Sequence, residues 1–388
     1  MLMKERGGNS KHIVISVVSD VATDQRVLRT ARTLRDRGFR VTIVGRELNE
    51  SLPIHIDEVR IVRFKLFINN GPLFYASFNI RLFIFLLFCK CDILLANDLD
   101  TLFANSIASR LRSKVLIYDS HEYFTGVPEI QNRILVKKAW EWIELACIKV
   151  PSVMYTVNRS IAQLYSNKYN INVQVIRNVP DVPKGVQPLT GDEKMQKRKE
   201  LGLPIDKNVL VIQGAGINID RGAEEALLSL KYLEGSVLMV IGGGDVMDSL
   251  LKIQAEYNLQ DKVLFFDKMP YSSLLEFTSA ADIGLTLDKD TNINYKYSLP
   301  NKLFDYINAG IPVLSSNLIE IKQIIDKYDI GMITDSHEPN KIANTINKML
   351  LSPNRVKNWP NNLKKAAQEL NWDTEKQKLI SIFESLEK

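Results

Sequence analysis

The chain is expected to fold as an α/β protein built from two doubly wound, Rossmann-like parallel sheets. Three observations predict this. Short β-branched apolar runs alternate with segments of helical periodicity, which is the pattern of βαβ units. The alternation restarts at Val209 after a stretch rich in Pro, Gly and charge. With 388 residues, the chain is too long for one ordinary core and suits two of similar size.

His12 to Val18 reads as the first strand, Ser19 to Asp24 as a loop, and Arg26 to Arg37 as a helix with Val27, Ala31 and Leu34 on its apolar side. Its arginines are placed on the other sides. Gly38 stops that helix, and Arg40 to Val44 is the second strand. Ile61 to Phe67 reads as a further strand and Phe78 to Phe88 as a buried helix. Asp92 to Ala96 and Lys114 to Tyr118 are strands that end in polar clusters, Asn97-Asp98-Leu-Asp100 and Asp119-Ser-His-Glu122. In an open α/β sheet the carboxyl ends of the strands are where ligands bind. Val153 to Val157 and Val173 to Ile176 complete the first sheet.

Asp192 to Leu201 is expected to be a short helix beyond the boundary. Val209 to Gly214, Val237 to Ile241, Val263 to Phe266 and Asp282 to Leu287 are strands of the second sheet, with a helix from Glu224 to Leu233. Gly214 and Gly216 let backbone approach a ligand closely, and Arg221 before a helix suits the grip of a diphosphate. A nicotinamide site would need G-x-G-x-x-G and an acid after the second strand. Here four residues separate Gly216 from Arg221, and Gly242-Gly-Gly244 stands where the acid belongs. The dinucleotide reading fails.

Ser298 to Ser316 is the most informative stretch. Pro300 fits a first helical turn, Leu303, Phe304, Ile307 and Ala309 form an apolar side, and Gly310 with Pro312 ends the helix. Ile311 to Leu314 follows as a buried strand. The helix N-terminus attracts phosphate, and Lys302 adds a full charge there. Asp305, one turn on, can accept hydrogen bonds from sugar hydroxyls.

Composition narrows the functional classes. Hydrophobic content of 45% and charged content of 24% are those of a globular protein. Cys89, Cys91 and Cys147 give no disulfide framework, so reduced cytoplasmic thiols are expected. Four histidines without H-E-x-x-H suggest no metal site. The start of the chain is not read as a secretory signal, and Leu82 to Cys89 falls short of the ~20 residues of a membrane span. Residues 1–190 hold 26 Lys and Arg against 17 Asp and Glu, whereas residues 191–388 hold 24 against 28. The basic half suits an anionic membrane surface or a phosphate-bearing acceptor, with no nucleic-acid motif beside it. Phe67-Ile68 and Leu73-Phe-Tyr75 interleave with Arg63, Lys65 and Arg81, a pattern shared by membrane surfaces and plain core packing.

Ser298 to Val313 resembles the donor-binding signature of retaining glycosyltransferases of family 4 (group 1), in the variant found in bacterial surface-polysaccharide members. Of that family's Glu-x7-Glu acids, the second falls on Asp305 and the first on Tyr297. The Asp24-Gln-Arg-Val27 run with Gly38, Tyr118-Asp-Ser-His-Glu122, Asn178-Val-Pro-Asp181, and Gln213-Gly214 followed by Arg221-Gly222 resemble the same group in the same order.

The resemblance runs from about residue 12 to residue 386 and implies the GT-B fold, two facing Rossmann-like domains with a deep interdomain cleft. It assigns residues 1–182 to an acceptor-side domain and 183–371 to a nucleotide-sugar donor domain. The helix at 372–388 is expected to pack back on the first. His121, Arg221 and Lys302 are the implied catalytic residues. Gly214, Gly216, Met269, Asn301, Leu303 and Asp305 are the implied donor-binding ones. Many members carry a second basic residue where Gly216 lies, so Lys302 is expected to supply that charge.

The implied activity is retaining transfer of a sugar from a nucleotide donor, UDP by family habit, to a glycan or lipid-linked glycan acceptor. No cofactor or metal is expected, and the setting is the cytoplasm or the inner membrane face. Two other readings stay open: a GT-B nucleotide-sugar epimerase, and a non-catalytic carbohydrate-binding or scaffold protein.

Overall fold

The computed structural model describes residues 10–181 and 188–386. The chain divides into two compact units at Asn178/Val179, with residues from Glu375 onward belonging to the first unit. The expected boundary at 182/183 lies outside the described residues.

The first unit holds seven parallel strands: β1 (His12–Asp20), β2 (Arg40–Glu47), β3 (Val59–Lys65), β4 (Ile93–Asn97), β5 (Val115–Ser120), β6 (Val153–Thr156) and β7 (Val173–Val175). Their order is β3-β2-β1-β4-β5-β6-β7. The second unit has six: β8 (Asn208–Gly214), β9 (Ser236–Gly242), β10 (Val263–Phe266), β11 (Ile283–Thr286), β12 (Val313–Ser316) and β13 (Gly331–Thr334), in the order β10-β9-β8-β11-β12-β13. Every pairing is parallel. Each sheet therefore reverses direction once, between β1 and β4 and between β8 and β11. Such a switch point opens a crevice at the carboxyl ends of the strands.

The central strands β4 and β8 are almost wholly buried, as expected where helices cover both faces. Asp24 caps the helix Gln25–Asp36 by accepting the Val27 N–H at 3.1 Å. Gly310, at φ 72°, ends the helix Asn301–Ala309 in the left-handed conformation that glycine adopts without strain.

Three expectations need correction, and one strand was not expected. Arg26 and Arg29 are buried, not on an outer helix face. The helix expected at 78–88 begins at Gly71, with Pro72 in its first turn, and its eighteen residues are long and apolar enough to cross a membrane by length and composition. The strand after Gly310 begins at Val313, because the Ile311 N–H still closes the helix end on the Tyr306 carbonyl at 3.0 Å. The short strand β13 carries too little pattern to be read in advance.

From Glu375 onward, the helix Trp372–Ser385 belongs to the first unit. Phe383 is fully buried and meets Phe39 edge-on at 6.0 Å. Glu375, also buried, accepts from the Arg177 N–H at 3.0 Å and its guanidinium at 3.1 Å. Phe383→Ala should therefore cost about 3–5 kcal/mol. Urea unfolding followed by fluorescence and circular dichroism checks this, and the transition of the first unit should move to lower urea.

Candidate functional site

In the second unit, two cations meet on one buried carboxylate. β8 delivers Gln213 and Gly214, and the loop beyond it turns at Gly222 into the helix Ala223–Ser229. Gly222 has φ 76°, and a Cβ there would lie 2.3 Å from the Leu287 carbonyl oxygen. Only glycine lets this loop press against the end of β11. The contact sets Arg221 beside Asp288, with Nη1 donating to Oδ2 at 2.8 Å. Lys302, in the first turn of the helix Asn301–Ala309, donates to the other oxygen of Asp288 at 3.1 Å. Asp288 has no exposed surface, whereas Arg221 keeps 28% and Lys302 11% of the side chain exposed.

The Arg221 guanidinium also stacks 4.2 Å from the centre of the Tyr295 ring. Burial opposes its charge, but Asp288 more than offsets this and raises its pKa above the ordinary value. The result is a pre-oriented pair of cations beside a helix N-terminus, an arrangement suited to a diphosphate.

Gly216, by contrast, contributes backbone shape. The Ile217 N–H donates to the Gly243 carbonyl at 2.8 Å, and Cβ atoms on Gly242 and Gly244 would meet the backbone of Gly214 and Ile217 at 1.9 and 2.1 Å. The triple glycine thus backs the loop after β8, which explains its place at the end of β9. Asp305 is buried and accepts from the Tyr271 hydroxyl at 2.8 Å and from Gln213 at 3.0 Å. Leu303 is fully buried, with its N–H on the Pro300 carbonyl at 3.1 Å. Asn301 is exposed, Met269 is half-buried, and Tyr297 ends the short helix Ile293–Lys296. The structure brings Arg221 and Lys302 together, while Asp305 makes a separate set of contacts.

In the first unit, the ends of β4 and β5 form a second polar cluster. His121 sits between carboxylates: Nδ1 lies 3.3 Å from Asp98, and Nε2 lies 3.1 Å from the Asn97 side-chain oxygen and 3.5 Å from Asp119. Asp119 is itself clasped by Arg26, at 2.9 Å from Nε and 2.7 Å from Nη2. Asp98 holds φ 56°, a conformation that costs a residue with a side chain about 1–3 kcal/mol. It is kept there because its N–H donates to the Asp119 carbonyl at 2.9 Å and its carboxylate accepts the His121 N–H at 2.8 Å.

Burial alone would lower the His121 pKa, but Asp98 and then Asp119 more than offset it and raise the pKa to about 9. Burial also works against the Asp119 carboxylate, yet Arg26 and His121 hold its pKa at about 2. Burial raises Asp98, and it raises Asp100 well above the carboxylate range with help from Asp98. At neutral pH His121 is therefore an imidazolium whose two N–H groups point at Asp98 and Asn97. In that state it offers positive charge and two hydrogen-bond donors.

Sequence reasoning singled out His121, Arg221 and Lys302, quoted Arg26 only within the Asp24-Gln-Arg-Val27 run, and did not single out Asp288 or Tyr295. Asp288 carries the same signal that singled out Asp98 and Asp119, a carboxylate just past a buried strand. Among the described residues, no group of three or more His, Cys, Asp and Glu is arranged to hold a metal ion.

With this geometry in place, solved structures define the fold as GT-B. The sucrose-phosphate synthase of Thermosynechococcus elongatus superposes with a TM-score of 0.77 at 16% identity, over 97% of this chain and 99% of that one. Anabaena HepE, solved with UDP and glucose, gives 0.73 at 16% identity, over 97% and 100%. The family follows from the sequence: residues 193–369 match the glycosyl transferases group 1 model and residues 24–182 the glycosyltransferase family 4 model. The chain belongs to glycosyltransferase family 4 (group 1). A D-inositol 3-phosphate glycosyltransferase of Acidothermus cellulolyticus is 23% identical over 217 residues, 52% of this chain and 47% of that relative. The chain spans about half the length of the curated relatives it matches.

Two outcomes follow from the site. An unfolded histidine titrates near ~6.5. The folded value of about 9 means that His121 adds stability fully present below ~6.5 and lost as pH rises through about 9. Unfolding measured from pH 6 to pH 10 should show this loss in the native protein and a much flatter profile in His121→Asn. Asp288→Asn leaves two cations facing each other and should cost about 3–5 kcal/mol. Bound UDP should recover part of that, so the thermal shift on adding UDP should be larger in the variant than in the native protein.

Proposed function

We propose that this protein is a retaining glycosyltransferase that moves a sugar from a nucleotide-diphosphate donor, UDP-linked, to a hydroxyl of a glycan or lipid-linked glycan. The observation that carries the reading is the convergence of Arg221 and Lys302 on Asp288 beside a helix N-terminus. The structural relative solved with UDP and glucose supports a uridine donor. Two curated relatives, one named for D-inositol 3-phosphate and one for chitobiosyldiphosphodolichol, support a glycan or phosphate-bearing acceptor.

In the proposed reaction the bond from the anomeric carbon to the diphosphate oxygen breaks. The acceptor oxygen forms its bond on the same face, and its proton passes to the leaving phosphate. Arg221, Lys302 and the helix N-terminus stabilise the charge that grows on the diphosphate. The His121 imidazolium binds near the sugar and phosphate. Gly214, Gly216 and Leu303 shape the backbone around the diphosphate, while Met269, Asn301 and Asp305 serve the nucleoside. The positive side chains take the place of a divalent ion, so transfer is metal-independent. The described cysteines are free thiols, which supports a cytoplasmic setting. The acceptor belongs to surface polysaccharide or glycolipid synthesis.

Thermal-shift screening against UDP-, GDP- and ADP-sugars, followed by transfer assays with the stabilising donor, tests the reading. A UDP-sugar should raise the melting temperature. Lys302→Ala should lower kcat roughly ten- to a hundredfold, with a smaller change in donor KM. Chelator should leave transfer unchanged. Donor turnover without any acceptor would favour the epimerase instead, and no stabilisation by any nucleotide sugar would favour a scaffold.

A further inference from the structure

The first unit carries an outer surface that the site chemistry does not use. The helix Gly71–Phe88 is apolar around its whole circumference. Phe74, Phe78, Leu82 and Leu86, spaced four apart, are buried against the unit. On the other side Leu73, Ile80, Ile84 and Phe88 are exposed, with Phe88 at 81%. A helix on the surface of a globular protein normally turns polar residues outward, and single exposed leucines need no explanation, but a continuous stripe does. Arg81 is the one charged residue in these eighteen.

The stripe does not stand alone. The helix Leu99–Arg112 packs beside Gly71–Phe88, and Ile134–Cys147 packs beside Leu99–Arg112, so the three form one layer. Ile134–Cys147 also exposes Ile134, Leu135, Trp142 and Leu145, and Phe67 is fully exposed in the turn before Gly71. Positive charge predominates around this layer. Lys65, Arg81, Lys90, Arg110, Arg133 and Lys138 are exposed, whereas Asp92, Asp98, Asp100 and Glu141 are at most half-exposed and Glu144 is buried, with Glu129 an exposed acid at its edge.

Gly71–Phe88 cannot leave the unit to cross a bilayer without exposing its buried stripe, and it connects two strands of one sheet, β3 and β4. It is suited to lying in the plane of an interface, with aromatic residues at headgroup depth and basic residues toward anionic lipid. A second copy laid on the same face would bring basic rim against basic rim. We propose that this three-helix face docks the protein on an anionic lipid bilayer. The proposal rests on this surface alone and is independent of the donor assignment.

Co-sedimentation of the full chain with vesicles tests it, using phosphatidylcholine alone or with about one third phosphatidylglycerol. The native protein should pellet with the anionic vesicles and do so less as salt rises. The double variant Ile80→Glu with Ile84→Glu, both exposed positions, should bind roughly tenfold more weakly or not at all. It should keep the native melting temperature and the same stabilisation by a nucleotide sugar, if one stabilises the native protein. Native protein left in the supernatant with anionic vesicles at low salt overturns the proposal, as does a double variant that binds like the native chain. Sedimentation velocity adds a third arm: a native dimer that the double variant dissolves would show that a second copy covers the face instead.

Discussion

A buried carboxylate at the carboxyl end of a strand organises the basic groups of each unit. In the second unit Asp288 holds Arg221 and Lys302, which come from separate elements, on its two oxygens. In the first, Asp119 holds Arg26 with two hydrogen bonds and lies 3.5 Å from the His121 ring. A charge taken out of water costs several kcal/mol unless it is paired and hydrogen-bonded, and removing one partner of such a pair is correspondingly damaging. The carboxylates are therefore more than neighbours of the cations. They fix where positive charge stands before any ligand arrives, and fixed charge is what a developing anion needs.

The backbone serves the same end. Gly222 allows the Arg221 loop to touch Leu287, one residue before Asp288, and Gly242 and Gly244 allow the next loop to support Gly214 and Ile217. In the first unit, Asp98 is held in a costly conformation by hydrogen bonds to Asp119 and His121. In both sheets these contacts gather beside the strands where the order reverses, β1 with β4 and β8 with β11. Topology chooses the place, and local sequence supplies the charge.

Much of this was legible from the chain alone because strands bury completely and leave plain apolar runs. The polar clusters at the ends of β4 and β5, the glycine stop at Gly310 and the cation at Lys302 are all local signals, although the structure takes Asn97, Asp119 and Ser120 into the strands themselves. Arg26 was not legible, since an arginine one turn into an amphipathic helix looks solvent-facing until Asp119, ninety-three residues away, is seen to receive it. Asp288 was missed because the strand before it drew attention to the signature helix beyond. The length of Gly71–Phe88 was also hidden, because Gly71-Pro72 reads as a breaker yet here opens the helix.

The central claim is that Asp288 pre-orients Arg221 and Lys302 for a diphosphate. A crystal structure of the protein with UDP tests it most directly. The account predicts phosphate oxygens within about 3 Å of both the Lys302 ammonium and the Arg221 guanidinium, with Asp288 still holding both cations. UDP bound with its phosphates away from this pair would contradict it.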